Sequence, residues 1–295
     1  MKAYKYLTCL ALAVTSLSAC TDLDENLYSE IGSNNYFNTR DDVIAMAFRS
    51  FEHGYWTIVP RFRINELPAD QLIIPRRDGS WDDGGVWRQF HYHTWTPDIS
   101  RHVHDEWDSQ FAGIAQANFA IDRFNELDPK KFDFQEDEWN ALKMQNRVLR
   151  CWYYLRLLDA FRNVPFCISY DDPSQNTLSQ VPPEKIFNFI EKELTDAIPL
   201  LYKKNSLGSG SQYANMWTQA GAAALLVRLY LNAKEYIGVD RLADCEKVAQ
   251  DIVDGVYGEY KVADRWDAPF DSDNDSCDEL IFFFSGSNFR TKTSI

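Results

Sequence analysis

Positive charge is scarce in this chain: 30 lysines and arginines stand against 44 aspartates and glutamates, for a formal net charge of −14. So acidic a chain is poorly suited to nucleic acid, which requires cations to displace phosphate counterions. Its field suits neutral or cationic ligands better than anionic ones. No CxxC pair and no HExxH occurs, which removes the commonest zinc and thiol-redox frameworks. No cofactor is implied. A membrane-spanning run is missing as well: the most apolar stretch of the body is interrupted by Arg156 and Asp159, and its uncharged portion is too short to cross a bilayer.

The first twenty residues have a distinct organisation. Lys2 and Lys5 precede an apolar run from Tyr6 to Leu17, which closes on Leu17-Ser18-Ala19-Cys20. A basic start, a short apolar segment and small residues before a cut site define a secretory leader over 1–19. A cysteine directly after Leu-Ser-Ala resembles the bacterial lipobox, whose cysteine carries fatty-acyl chains such as palmitate. The expectation is therefore lipidation of Cys20, each buried methylene adding about 0.8 kcal/mol of membrane affinity. Residues 20–34, beginning Cys20-Thr21-Asp-Leu-Asp-Glu-Asn26, read as an acidic tether. Cys151, Cys167, Cys245 and Cys277 remain, an even set that allows disulfides or inert core thiols.

Beyond the tether the pattern is helical, and 35–268 reads as one mainly α body with long irregular loops and a few short strands. Thr39 is placed to cap a helix whose buried stripe is Val43, Ala47 and Phe51. Trp107 to Leu127 carries Phe111, Ile114, Asn118, Ile121 and Phe124 at helical spacing. The strongest pattern runs from Glu138 to Phe166. From Val148 to Phe161 it is apolar nearly all round, as a buried helix is, and Val164-Pro165 stops it. Arg147, Arg150, Arg156 and Asp159 in that helix are expected to pair with neighbours. Pro182-Pro183 opens a further helix with Ile186, Ile190, Leu194, Ala197 and Leu201 on one stripe. Ala220-Gly-Ala-Ala-Ala224 and Leu242 to Val253 supply the small-residue faces that tetratricopeptide-type (TPR-like) pairs use, without a strict 34-residue repeat.

One stretch, 76–97, has neither the helical nor the strand period. Its glycines and aspartates mark turns, yet Trp81, Trp87 and Trp95 fall within fifteen residues of one another. Loops run over the surface, so three indoles there are less easily assigned to a core. Sugars fit such a surface: their C–H faces lie on aromatic rings, and their hydroxyls bond carboxylates and guanidiniums. Trp81, Trp87 and Trp95, with Arg76, Arg77, Asp82 and Asp83, are the candidate ligand-binding residues. Four of the five histidines, His91, His93, His102 and His104, fall nearby as i, i+2 pairs. On a strand each pair would share a face, but no fitted carboxylate or thiol accompanies them, and no metal site is expected.

Asp271-Ser-Asp-Asn-Asp275 has the alternation of a calcium loop, but Ser276 and Phe282 stand where glycine and the bidentate glutamate are required. Glu279-Leu-Ile-Phe-Phe-Phe284 reads as a buried strand, and 269–295 as the start of a second region that is cut short.

Taken in succession, the lipobox at Cys20 with its Asp-Leu-Asp tail, Asn35-Tyr-Phe37, Glu66-Leu-Pro-Ala-Asp70, Trp107 with Gly113-Ile-Ala-Gln-Ala-Asn118, Arg150-Cys-Trp-Tyr-Tyr-Leu-Arg-Leu-Leu-Asp-Ala-Phe161 and Asn163-Val-Pro165 form a familiar order. Ala220–Leu231 and Glu279-Leu-Ile-Phe282 complete it. This order resembles the SusD/RagB family of outer-membrane nutrient-binding lipoproteins. The resemblance implies a non-enzymatic protein on the outside of a bacterial outer membrane. Such a protein binds oligosaccharides, sometimes peptides, and passes them to a TonB-dependent (SusC-like) transporter. It further implies that TPR-like helices serve as scaffold and transporter dock, with ligand contacts on loops and a second loop-rich region after Phe282. These motifs are structural and name no ligand residue; the choice of Trp81 and its neighbours comes from composition and loop context. Two other readings are a surface glycoside hydrolase, for which no pair of carboxylates across one bond is assignable, and a TPR-like scaffold for a protein partner.

Overall fold

The computed structural model of the chain describes residues 37–96, 101–172, 178–206, 216–272, 274 and 277–284. The expected leader, Cys20, the tether, Pro97 and part of the 271–276 acidic stretch lie outside the described residues. All that follows concerns the unit Thr39–Ile295.

The first helix, α1 (Arg40–Trp56), begins where the sequence places it. Thr39 Oγ1 accepts from Asp42 N at 3.2 Å and Asp42 returns the bond to Thr39 N at 2.8 Å, a reciprocal cap that satisfies two otherwise orphaned donors. Val43, Ala47 and Phe51 are buried as expected, joined by Met46, Ser50 and Gly54. A short α2 (Ile58–Glu66) follows, then α3 (Val86–His91) within the 76–97 stretch and α4 (Arg101–Glu126). α4 starts six residues before the expected Trp107. The early turns are held by i, i+4 charge pairs, Arg101 with Asp105 and His104 with Asp108.

The long central helix α5 (Glu136–Phe161) ends at Arg162, and Val164–Pro165 (β1) then pairs antiparallel with Gln180–Val181 (β2). α6 (Pro183–Ala197), α7 (Gln219–Leu231), the short α8 (Ala233–Ile237) and α9 (Leu242–Val253) complete the array.

Side-chain contacts fix the directions. Ser50 meets Asn146 and Thr57 meets Arg156, so α1 runs parallel to α5. Asn125 meets Lys143 and Asn118 meets Arg150, so α4 runs antiparallel to it. Glu193 reaches Arg147 while Phe189 packs on Tyr154, so α6 is antiparallel to α5 as well. Tyr230 bonds Glu191 and Gln219 bonds Leu201 O, so α7 runs antiparallel to α6, and Cys245 of α9 lies against Val227 of α7. The fold is mainly α and TPR-like. Small residues permit the close approaches: Ala220, Gly221, Ala222 and Ala223 are buried on α7, and on α4 a Cβ at Gly113 would lie 2.2 Å from the Tyr153 ring. Among the described residues no helix is long and apolar enough to cross a membrane.

The charges of α5 pair with its neighbours. Glu193 takes two bonds from Arg147, at 2.9 and 2.7 Å, and one from Arg150 at 2.8 Å. Asp159 takes Arg61 at 2.6 Å. Glu106, fully buried, sits 3.6 Å from both Arg61 and Arg156. Burial pushes the Glu106 carboxyl up and the Arg156 guanidinium down to about 9. Cys151, Cys167, Cys245 and Cys277 form no disulfide among the described residues, and burial pushes the Cys151 thiol well up, which makes it inert.

The expected strand at 279–284 is not one. Cys277 to Leu280 form a turn, and 281–284 pair with no strand among the described residues. Their side chains pack on helices instead: Phe282 stacks on Trp217, and Phe284 meets Trp152 at 5.2 Å and covers Gly54. Aromatic packing replaces the sheet ladder.

Candidate functional site

The 76–97 stretch is built from turns that its residues dictate. Arg77 and Ser80 exchange both backbone hydrogen bonds, at 3.1 and 2.7 Å, around Asp78-Gly79. Both central residues have positive φ, 47° and 84°, the mirror-image turn that Asp-Gly favours. Trp81 follows with φ 63°. For a bulky side chain this is a strained conformation, and it leaves the indole 66% exposed. Gly84 and Gly85, at φ 67° and 86°, then turn the chain into α3.

α3 corrects the sequence reading, which expected no helix here. Val86, Trp87 and Phe90 form its inward face and pack on Leu67. Trp87 is therefore not a loop indole: it is 6% exposed, and its face stacks on His102 of α4, centroids 4.7 Å apart and planes 19° from parallel. Trp95, half exposed, leans on Phe90 and His93. Two further contacts strap the stretch to the segment after α2: His93 Nε2 lies 3.0 Å from Pro68 O, and His91 Nδ1 lies 2.8 Å from Asp70.

The histidines are not on strands either. His91 ends α3, His93 follows it, and His102 and His104 lie on α4, where i, i+2 residues point apart: His102 is partly buried and His104 exposed. Among the described residues no group of three or more His, Cys, Asp or Glu side chains could hold a metal ion.

Arg63 Nη1 sits 3.3 Å from His102 Nδ1. A guanidinium only donates, so Nδ1 accepts and the ring proton belongs on Nε2. Burial first and Arg63 second hold the His102 pKa below 6.5; Arg101 adds to this, while Asp105 and Asp83 oppose it. With the folded value depressed, the contribution of His102 to stability is present above pH 6.5 and is lost as pH falls through the lowered value. Acidification from pH 7 to 5 is expected to red-shift the tryptophan emission as the Trp87 stack loosens. His102→Phe, which keeps a ring but cannot titrate, should abolish that shift; an unchanged shift in the variant would assign it elsewhere.

Beside α3 lies a cavity of about 210 Å³. Leu67, Ile73, Ile74 and Pro75 form its apolar wall, and Arg76, Trp87, Arg88, His91 and Tyr92 complete it. Of the residues chosen from sequence, Arg76 and Trp87 meet here. Trp81, Trp95, Arg77, Asp82 and Asp83 lie outside the lining, although Asp82 approaches Arg88 at 3.4 Å. Arg88 and Tyr92 escaped the sequence reading. Their i, i+4 spacing and the 72–75 apolar run were the available signals. A second, open cleft of about 630 Å³ lies between the start of α5 and the end of α6, with Glu136, Asp137 and Tyr202 in its wall.

A family described as "Starch-binding associating with outer membrane" (SusD-like) matches residues 74–231, which span the cavity segment and α3 to α7. The chain belongs to the SusD-like family. It is 27% identical over 232 residues to the starch-binding protein SusD of Bacteroides thetaiotaomicron, which covers 76% of this chain and 36% of that protein. A laminarin-binding SusD-like protein shares its fold with a TM-score of 0.59 at 21% identity, over 78% of this chain and 48% of the other. A SusD superfamily protein from Parabacteroides distasonis does so with a TM-score of 0.64 at 16% identity, over 86% and 51%. The chain thus spans about a third to a half of the length of these relatives.

Proposed function

We propose that the protein is a non-enzymatic, cell-surface glycan-binding lipoprotein. It captures oligosaccharides at the 76–96 segment and delivers them to a TonB-dependent (SusC-like) outer-membrane transporter. The observation that carries the reading is the exposed Trp81 indole, held out on a strained backbone beside Arg76, Arg77, Asp82 and Asp83, in a chain whose family is described as starch-binding. An exposed aromatic ring with guanidinium and carboxylate groups near it in the chain is what a sugar ring stacks on. Acylated Cys20 anchors the chain in the outer membrane, facing the exterior, and the chain from 269 onward begins a second, loop-rich region.

Affinity electrophoresis against starch, laminarin and other polysaccharides tests the reading. Trp81→Ala is expected to weaken binding about tenfold, the worth of one aromatic stack. Its melting temperature should stay within about 2 °C of the parent, since the side chain is exposed. No new reducing ends should appear. Equal retardation of the parent and the variant would remove Trp81 from the site, and hydrolysis that depends on Asp82 or Asp83 would make the protein an enzyme instead.

A further inference from the structure

The polar groups around the small cavity are almost all donors. Arg76 and Arg88 bring guanidiniums, which cannot accept. Tyr92 brings a hydroxyl and His91 a ring. Trp87 forms a wall, and its Nε1–H is buried with no partner among the described residues. No aspartate or glutamate lines the cavity; Asp70 and Asp82 engage His91 and Arg88 from outside the lining.

We propose that this cavity selects an anionic sugar residue, its carboxylate or sulfate oxygens taken by Arg76 and Arg88 and its C–H face set against Ile73, Ile74 and Pro75. The inference rests on the glycan-binding reading and names the substrate class within it. At about 210 Å³ the space is below the roughly 300 Å³ at which pockets enclose whole drug-sized ligands, so it takes one residue of a chain. The net charge of −14 opposes an anion only at long range. Beyond about 8 Å at physiological ionic strength that field is screened, and the groups in contact decide affinity. The larger cleft has the opposite chemistry: Glu136 and Asp137 would repel the same ligand.

Calorimetric titration of the full chain tests the proposal with four probes: tetragalacturonate, its fully methyl-esterified form, a sulfated disaccharide and neutral maltotetraose. An anionic probe is expected to bind at least about tenfold tighter than the neutral ones, as befits bonds to a charged group, and to weaken with added salt. Tetragalacturonate or the sulfated sugar alone showing the preference tells which anion the site takes. Arg76→Gln and Arg88→Gln, both exposed positions, should each lower affinity for the anionic probe, and together erase the preference. Trp81→Ala should weaken charged and neutral probes alike. Equal binding of charged and neutral probes, or a preference that survives the double arginine variant, overturns the proposal and leaves the glycan reading standing. Failure of every probe and every polysaccharide to bind overturns both.

Discussion

Glu193→Gln is expected to cost the folded chain about 3 kcal/mol at pH 7, the low end for breaking a buried ion pair. For a domain of this size that lowers the melting temperature by about 6–12 °C. Glu193 receives three aligned bonds from Arg147 and Arg150, at 2.7 to 2.9 Å. The Arg150 side chain is almost wholly buried and is shared with Asn118 Oδ1 and Ile168 O, both at 2.8 Å. Without the carboxylate, two guanidiniums from successive turns of α5 face each other with only Asp196, 3.7 Å from Arg147 Nη2, as a remaining anion. Burial alone would push the Glu193 carboxyl up, but the two arginines outweigh it and hold it below its ordinary 4.5. A depressed carboxylate contributes stability that is present above pH 4.5 and is lost as pH falls through the folded value. The gap between parent and variant should therefore close in acid, which urea titrations at pH 7 and pH 3.5 would read. A gap that does not narrow would mean that the variant fails through packing rather than charge.

The same substitution at Glu106 is expected to cost less. There the arginines stand off at 3.6 Å, Oε2 has no partner among the described residues, and burial wins, raising the carboxyl. A neutral side chain relieves that penalty as well as losing the attraction, and desolvation of buried pairs often exceeds their Coulombic gain. Equal losses at the two sites would contradict this distinction.

The helices were legible because their signals are local. Thr39 with Asp42, Pro183, and the apolar recurrences of α5 and α6 act within one or two turns, so residue spacing alone places them. α9 was bounded without error for the same reason. What escaped depended on contacts distant in sequence. Trp87 looks like a loop indole until Leu67 from one side and His102 from the other enclose it. Arg101 to Glu106 carries only exposed i, i+4 charge pairs as a local signal, while the partners of buried Glu106, Arg61 and Arg156, lie 45 and 50 positions away. Phe282 and Phe284 have strand periodicity, but Trp217 and Trp152 claim them before any strand does. In the candidate site, composition drew attention to the 76–97 segment. The division of its indoles into an exposed platform and a buried wall was set by backbone φ at Trp81 and by the helix at Val86–His91, neither of which composition records.

Gly113 in the Gly113-Ile-Ala-Gln-Ala-Asn118 stretch shows how a sequence motif becomes a packing constraint. A methyl group there would meet three Tyr153 ring carbons at 2.2 to 2.6 Å. That ring cannot retreat: it is fully buried, and its hydroxyl donates to Ser50 O at 2.6 Å, across to α1. Overpacking of about 3 kcal/mol and loss of that hydrogen bond, worth about 1, outweigh the roughly 1 kcal/mol an alanine gains over glycine inside a helix. Gly113→Ala is thus expected to destabilise the chain by about 3 kcal/mol, although alanine is the better helix former. The sign depends on one neighbour, so the check is a double-mutant cycle. In a Tyr153→Leu background the clash is gone, and adding Gly113→Ala should be nearly neutral. Denaturation midpoints of the four proteins would show it as a coupling of similar size to the single-variant loss. If Gly113→Ala costs the same with and without the ring, Tyr153 is not what requires the glycine, and the close approach of α4 to α5 must be set elsewhere.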